Sequence, residues 1–264
     1  MATPGTADAA TTAPSDIVLV DPSRVCPAGA GWTWIAKGWG LFARAALMWI
    51  ASLVILFIIA FAMGLVPIIG HVAFQILSPV FAAGLVLACR SIEQTGNFEL
   101  SELFGGFRVQ FGPLAVVGIL FFLGEVAILL VFGAFAGFAI LSGALAGNTG
   151  NVLDAVVASS TSIALGALVA AALSVPLFAA YWFAPALVVL HGMAPLAAMR
   201  ASFVASFRNF LPFLVYSIIM TIFAILAALP AGLGFLVWFP LLVTSSYVAY
   251  REIYTGGMPE LAPR

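Results

Sequence analysis

Few side chains of this sequence could do chemistry in an apolar environment, and Glu125 is the most conspicuous of them. It lies within a long apolar run, and no apolar run contains a Lys or Arg that could neutralise it. Ionisable residues inside a membrane are costly and mark either a functional site or a polar contact between helices. Two interpretations stay open, a proton-coupled or ligand-binding carboxyl and a neutral hydrogen bond between helices. The hydroxyl groups that could share such a bond belong to Tyr181, Tyr216, Ser217, Thr221, Thr244 and Ser245.

Metal and nucleophilic chemistry find little support in the sequence. His71 and His191 have no Cys or carboxylate at ligand spacing beside them, and Cys26 and Cys89 are expected to be free thiols. No nucleophile elbow, zinc-protease helix or P-loop motif occurs. We therefore predict no catalytic residue, no metal, no cofactor and no enzymatic activity. Three acids are expected on a solvated face: Glu93, Glu99 and Glu102.

The composition identifies the elements that must position Glu125 as membrane helices. Only 7% of the residues are charged, 64% are hydrophobic, and the mean hydropathy is +1.21. Soluble domains carry about a quarter charged residues, so this chain cannot cover a water-facing surface. Its net charge of −1 gives no basis for nucleic-acid binding, and we expect none.

Six apolar stretches reach the roughly 20 residues that a crossing helix needs. They cover residues 46–66, 69–89, 113–140, 163–190, 212–229 and 232–250. Five crossings are the alternative, if the short fifth and sixth stretches do not both cross. Six crossings place all nine Lys and Arg residues on one side. The positive-inside rule then predicts a bacterial inner-membrane protein with both termini in the cytoplasm.

The same sequence pattern occurs three times along the chain. Residues 79–96 and 240–256 both begin with proline, run apolar, and then share an aligned Arg, an aligned Ile and a Thr-Gly pair. Short joints turn the six stretches into three hairpins that share one orientation, a parallel repeat. Each even-numbered stretch has a central proline, which should kink its helix. These prolines are Pro79, Pro176 and Pro240.

A short amphipathic helix is predicted ahead of each odd-numbered stretch, at 31–42, 103–113 and 202–212. Apolar residues recur there at spacings of three and four, as in Trp32, Ile35, Trp39 and Phe42, with a basic residue nearby. Such a helix suits the headgroup layer of the cytoplasmic leaflet. The alternative, which is compatible with it, is a helix packed on the cytoplasmic ends of the bundle. The basic and aromatic candidates are Lys37, Trp39, Phe107, Arg108, Phe207 and Arg208.

The predicted fold is therefore all-α: a polytopic membrane protein with six transmembrane helices in three parallel-repeat hairpins, joined by short cytoplasmic interfacial helices. Residues 1–28 are expected to form a disordered cytoplasmic tail, because they contain too little apolar surface to fold. Residues 29–256 form the transmembrane domain, and residues 257–264 form a short cytoplasmic tail.

Several motifs carry a resemblance: GW..I..GW.LF at 31–42, P.F.AGL.L.CR at 79–90, RASF.AS.RN.LPFL at 200–214 and YREIY at 250–254. With these motifs the chain resembles a proteobacterial family of six-helix inner-membrane proteins of unknown function. The resemblance covers residues 28–256 and implies architecture and location only. A fainter likeness, in helix arrangement and the Ser…Asn-x-x-Pro pattern near 202–212, is to the membrane domain of glycerophosphodiester phosphodiesterases. Their catalytic domain is missing here, so no esterase activity is implied.

The function most favoured by these features is a non-catalytic envelope protein that binds lipid or a protein partner. The alternative is a transporter or channel-like protein for a small or lipidic solute, with Glu125 as a coupling carboxyl. Three central prolines that free backbone carbonyls favour the alternative, whereas the scarcity of polar residues in the apolar stretches weighs against it. The expected partners are the lipid bilayer and a lipid or membrane protein, and assembly into a homo-oligomer is compatible with the sequence.

Overall fold

The computed structural model describes residues 18–20, 23–145 and 160–257, and the regular structure in these ranges is entirely helical. The predicted all-α class is therefore confirmed for this part of the chain. The elements are α1 (Ala30–Arg44), α2 (Ala46–Gly64), α3 (Ile69–Thr95), a 3₁₀ turn (Leu100–Phe104), α4 (Gly105–Val109), α5 (Phe111–Leu145), α6 (Ser160–Trp182), α7 (Ala184–His191), α8 (Pro195–Arg208), α9 (Phe210–Ala228) and α10 (Phe235–Thr255).

Five helical segments of the described chain are long and apolar enough to cross a membrane. They are Ala46–Gly64, Ile69–Thr95, Phe111–Phe138, Ser160–His191 and Phe210–Ala228, and they correspond to the first five predicted stretches. The sixth stretch lies in α10, whose second half carries Thr244, Ser245 and Arg251. These residues lower its hydropathy, so the sixth crossing stays a prediction.

The polar residues of α10 face protein, which explains why this helix is less apolar than the others. About half of its residues are buried, and it contacts α1, α2, α3 and α9. Thr244 and Ser245 are fully buried, and their hydroxyls donate to the carbonyl of Leu241 at 3.2 and 2.5 Å. Because membrane proteins place polar side chains in the bundle interior, the composition of α10 is compatible with a position inside the bundle.

Each of the three candidate prolines lies inside a helix: Pro79 in α3, Pro176 in α6 and Pro240 in α10. We refer to α3, the α6–α7 pair and α10 as the return helices. In α10 the buried residues begin at the proline and continue toward the C-terminus. The same is true of α3, apart from the buried Gly70. The dense core of the molecule therefore lies at one end, among the C-terminal halves of the return helices.

Ser202 explains why the predicted fourth crossing is divided into α6 and α7. Its hydroxyl accepts a hydrogen bond from the Phe183 N–H at 3.0 Å and donates to the Ala179 carbonyl at 2.6 Å. It thereby replaces the backbone bond that would join these two residues in a continuous helix. Pro185, which lacks an N–H, follows near the start of α7, so the break is fixed from both sides.

The first short helix packs along a return helix rather than across it. Trp34 Nε1 of α1 donates to Glu252 Oε2 of α10 at 2.6 Å. Further along α1, a Cβ atom on Gly38 would lie 2.7 Å from the backbone of Ser245. The partner residues descend in number as those of α1 ascend, so the two helices run antiparallel and in very close contact.

The other two short segments make equivalent contacts with the return helix that precedes each of them. A Cβ atom on Gly84 of α3 would lie 2.1 Å from the carbonyl oxygen of Leu103 in the 3₁₀ turn, and Ser202 of α8 bonds to the α6 backbone. Gly84 and Ser245 each lie five residues after the proline of their helix. Tyr181, between the two backbone partners of Ser202, lies five residues after Pro176. Each of the three short segments therefore contacts a return helix about five residues after the proline of that helix.

Part of the predicted N-terminal tail contacts this packed end. The Val20 N–H donates to the Tyr254 carbonyl at 2.7 Å, and the Arg24 N–H donates to that of Ile253 at 2.8 Å. Asn209 is fully buried and accepts from the Cys26 N–H at 2.8 Å. Residues 1–17 and 258–264, which include most of both predicted tails, lie outside the described residues.

Candidate functional site

A cavity of about 410 Å³ lies between α2 and the three return helices. Its wall is predominantly apolar and includes Leu56, Phe81 and Leu242. Cavities of roughly 300–1,000 Å³ with apolar walls and few polar groups are typical of ligand sites. We call this space the central cavity. Its polar side chains all come from the return helices: Ser78, Tyr181, Ser246, Tyr247 and Tyr250.

One pair of these hydroxyls joins α3 to α6 across the cavity wall. Ser78 Oγ and Tyr181 Oη are 3.2 Å apart. Ser78 also donates to the carbonyl of Gln75 at 2.9 Å. Pro79 has no N–H, so it leaves that carbonyl without its helical partner. The serine that precedes the proline therefore satisfies the carbonyl that the proline frees.

Glu125 lies beside this pair and joins a third helix to it. Its carboxylate accepts a hydrogen bond from the side-chain amide of Gln75, so the bond connects α5 to α3. Among the described residues the partner of Glu125 is this amide, and none of the six hydroxyl side chains named from the sequence bonds to it. The structure therefore shows an interhelical hydrogen bond between Glu125 and Gln75, and Gln75 follows the cavity-lining residue Phe74 in α3.

A buried ion pair lies at the packed end and is joined to the cavity wall through Tyr247. Arg251 Nη2 lies 2.9 Å from Glu93 Oε1, and the two side chains are only 7% and 3% exposed. Tyr247 donates its hydroxyl to the other carboxylate oxygen. The expectation that Glu93 lies on a solvated face is therefore wrong. The helical turn of α3 that carries Glu93 packs against α10 instead of facing water.

His191 and Tyr250 form a second polar contact at the same end. The His191 Nε2 atom hydrogen-bonds to the Tyr250 hydroxyl, which places this histidine in contact with the cavity-lining tyrosine. No group of metal-ligating side chains is found among the described residues. The indole Nε1 of Trp182, whose ring lines the cavity, is buried without a hydrogen-bond partner in the described chain. A buried donor without a hydrogen-bond partner is rare in folded proteins.

The two cysteines are buried free thiols in the structure. Cys26 lies outside the candidate membrane spans, and its thiol has a raised pKa of about 11. Burial is the main cause, because it disfavours the thiolate, and the nearby carboxylate of Glu252 adds to it. Cys26 is therefore a packing residue that stays protonated near neutral pH.

The basic and aromatic candidates of α1 and α8 are exposed. Trp39 is 50% exposed and Phe207 is 46% exposed, and Lys37 and Arg208 also face outward. The apolar face predicted for α1 is split: Ile35 and Phe42 are buried, whereas Trp32 and Trp39 are exposed. The split arises because α1 uses Trp34, Gly38 and Leu41 to contact its neighbours.

Of the corresponding candidates near α4, Phe107 is more enclosed, whereas Arg108 is exposed. The predicted helix at 103–113 is the 3₁₀ turn followed by the five-residue α4. Phe107 is half-buried, with its ring edge-on to Phe81 at 5.2 Å between centroids. The Arg108 guanidinium donates to the Ser101 carbonyl at 2.8 Å. These two residues therefore stabilise the connection between α3 and α5.

Sequence reasoning missed three contributors to the site: Gln75, Tyr247 and the Glu93–Arg251 pair. Gln75 could have been found, because it is the one amide side chain in the second apolar stretch. The ion pair could not, because its members are 158 positions apart and their contact depends on the packing of α3 against α10.

Comparison with known proteins agrees with this structure. Over 217 residues, 78% of this chain and 80% of the relative, the sequence is 29% identical to a protein of Burkholderia thailandensis named "Probable inner membrane protein". No family model matches the chain, and no solved structure matches it. The predicted resemblance to inner-membrane proteins is confirmed, and with several membrane-length helices the chain is a multi-pass membrane protein similar to that relative.

Proposed function

We propose that this protein is a non-catalytic envelope protein of the bacterial inner membrane that binds a lipid in its central cavity. The observation that carries the proposal is the cavity itself, an apolar space of about 410 Å³ rimmed by hydroxyl groups from all three return helices. Apolar walls suit an acyl chain, and a few polar groups at fixed positions suit the ester region of a lipid.

The proposed setting is six crossings, with three hairpins in one orientation and both termini in the cytoplasm. The contact that recurs five residues after each proline supports the threefold repeat. The polar side of α10 contacts protein, so its composition does not argue against a crossing. Six crossings bring all the Lys and Arg residues to one side, which the positive-inside rule assigns to the cytoplasm. The short helices would then lie at the cytoplasmic ends of the return helices.

Native mass spectrometry of protein extracted with its own lipids tests the proposal. The Ala82→Phe variant introduces a ring at the cavity wall, and Ala134→Phe introduces the same ring on the exposed surface of α5. Wild-type and Ala134→Phe proteins should retain a bound lipid after detergent exchange, whereas Ala82→Phe should lose it by at least about tenfold, since overpacking excludes the ligand. Equal retention in both variants would place the lipid elsewhere, and a co-purifying protein or second copy instead of lipid would indicate a protein partner.

A transporter for a small or lipidic solute is the second candidate, favoured by the polar contacts that connect Glu125, Gln75 and the Ser78–Tyr181 pair. In this case the Glu125 carboxyl would change protonation during transport. Glu125→Gln preserves an acceptor for Gln75, so it should leave the folded state intact while abolishing any proton-driven uptake into liposomes. Uptake that persists unchanged in Glu125→Gln would remove the coupling role.

A further inference from the structure

A second recess, separate from the central cavity, lies outside the packed end of the bundle. It is a groove of about 740 Å³ between α8, the end of α10 and the described residues Leu19, Val20 and Ser23. Leu187, Leu196 and Val204 give it an apolar wall. Leu196 is 72% exposed and Val204 is 43% exposed, so the groove presents apolar side chains that nothing in the described chain covers.

Two arginines of α8, Arg200 and Arg208, line this groove. They are eight positions apart, which places their Cα atoms about 12 Å apart along the helix axis and about 80° apart around it. Both side chains are exposed, and neither forms an ion pair or hydrogen bond within the described ranges. The groove therefore combines two available guanidinium groups with an apolar floor.

The two arginines of this groove differ from three other arginines, which make contacts within the protein. The guanidinium of Arg24 donates to the Gly256 carbonyl at 2.5 Å, that of Arg108 donates to Ser101, and that of Arg251 pairs with Glu93. Each of these arginines stabilises the fold. Arg200 and Arg208 make no such contact within the described residues, and both are exposed, so their guanidinium groups are available to an anion.

The position of the groove indicates which kind of anion could reach these two arginines. Arg208 is the last residue of α8, and α9, a candidate membrane span, begins at Phe210. If α9 crosses the membrane, the guanidinium of Arg208 lies near the start of the crossing, where the headgroup layer begins. Guanidinium groups bind phosphate through geometrically matched hydrogen bonds, and basic pockets beside membrane helices bind anionic headgroups.

We infer that this groove binds an anionic phospholipid, whose phosphate is held by Arg200 and Arg208 and whose apolar part contacts Val204. The side chain of Ser23 lies at the opposite wall and provides a hydroxyl donor for the headgroup. This lipid is distinct from the proposed cavity ligand, so either site can be occupied without the other.

The test is lipid titration of detergent-purified protein by native mass spectrometry, with phosphatidylglycerol and phosphatidylcholine as probes. The groove variant is R200Q/R208Q. The control, K37Q, removes an exposed charge from α1, and it is compared with the groove variant and with its single substitutions R200Q and R208Q. Attraction of about 1 kcal/mol per basic residue corresponds to about a fivefold loss of phosphatidylglycerol affinity for each groove arginine and about 25-fold for both.

Wild-type protein and the control should prefer phosphatidylglycerol over phosphatidylcholine, and R200Q/R208Q should lose that preference. Equal losses in the groove variant and the control would overturn the inference, because they would indicate general charge attraction. A parallel titration with inorganic phosphate identifies the source of the anion: phosphate binding that depends on both arginines, with no lipid preference, would refute a lipid ligand. Ala82→Phe should leave the phosphatidylglycerol preference unchanged, which separates this site from the central cavity.

Discussion

Glu93→Gln tests the buried ion pair at the packed end of the bundle. In the wild-type protein Glu93 is 5% exposed and Arg251 is 6% exposed, so water cannot compensate either charge. The substitution removes the negative charge and leaves the guanidinium buried. Breaking such a pair costs about 3–5 kcal/mol. We expect a loss near 3 kcal/mol in the free energy of unfolding, the lower limit of that range, because a glutamine oxygen can still accept the Tyr247 hydroxyl.

A second substitution, Arg251→Met, shows whether the stability depends on the ion pair or only on the volume that the two side chains fill. Only one guanidinium nitrogen reaches the carboxylate, and the Nε of Arg251 has no hydrogen-bond partner among the described residues. A pair so incompletely satisfied stabilises little relative to neutral side chains of similar volume. Glu93→Gln combined with Arg251→Met should therefore unfold within about 1 kcal/mol of wild type. Arg251→Met destabilises the wild-type protein but stabilises the Glu93→Gln variant.

The assay is reversible unfolding in mixed detergent–SDS micelles, followed by circular dichroism at helix wavelengths. Glu99→Gln is the matched control, because Glu99 is exposed and its substitution should change stability by less than about 0.5 kcal/mol. The reasoning is refuted if Glu93→Gln is as mild as the control. It is also refuted if the two substitutions at the pair destabilise additively, because additivity means that the charges do not interact.

Two further predictions concern the contacts around α1. Gly38→Ala should lower the free energy of unfolding by about 1–3 kcal/mol in the same assay, because its Cβ would lie 2.7 Å from the Ser245 backbone and would force α1 away from α10. The control is Gly112→Ala, whose Cβ would have no atom within 4 Å and which should be neutral or stabilising. If both substitutions changed the free energy of unfolding equally, the close contact between α1 and α10 would be contradicted. The second prediction uses a Cys89→Ala background and the pKa of Cys26, about 11. The rate of maleimide labelling should rise about tenfold per pH unit from pH 7 to 10, and at pH 8 it should be about a hundredfold slower in the folded protein than in SDS-unfolded protein. Equal labelling rates in the folded and unfolded protein would contradict the raised pKa, because they would show an accessible thiol.

Periodicity and proline placement were sufficient to predict the helices, because both are local properties of the chain. The apolar stretches became α2, α3, α5, α6 and α9, and each candidate proline lies inside a helix. The break at Phe183 was not predictable, because it depends on a hydroxyl from another helix. Ser202 follows that break by 19 residues, and nothing in the local pattern of α6 announces it.

The candidate site was predicted less completely, because side-chain partners are a property of packing. Glu125 was identified as an intramembrane acid, yet its partner is the amide of Gln75 and not a hydroxyl. Glu93 was expected in water because arginines and other acids surround it in sequence. The docking of α3 on α10 buries it against Arg251. A charge pattern along one segment cannot show which helix will cover it.

The central claim is that the three return helices enclose a lipid, and site-specific photo-crosslinking tests it most directly. A photoreactive diazirine amino acid close to leucine in size replaces Leu242, in the cavity wall, or Leu129, which is 66% exposed on α5. In membranes both positions should form lipid adducts on illumination. After extraction and prolonged detergent exchange, only position 242 should still do so, at about one lipid per chain. Loss of the adduct at position 242 as readily as at position 129 would contradict a lipid held between the return helices.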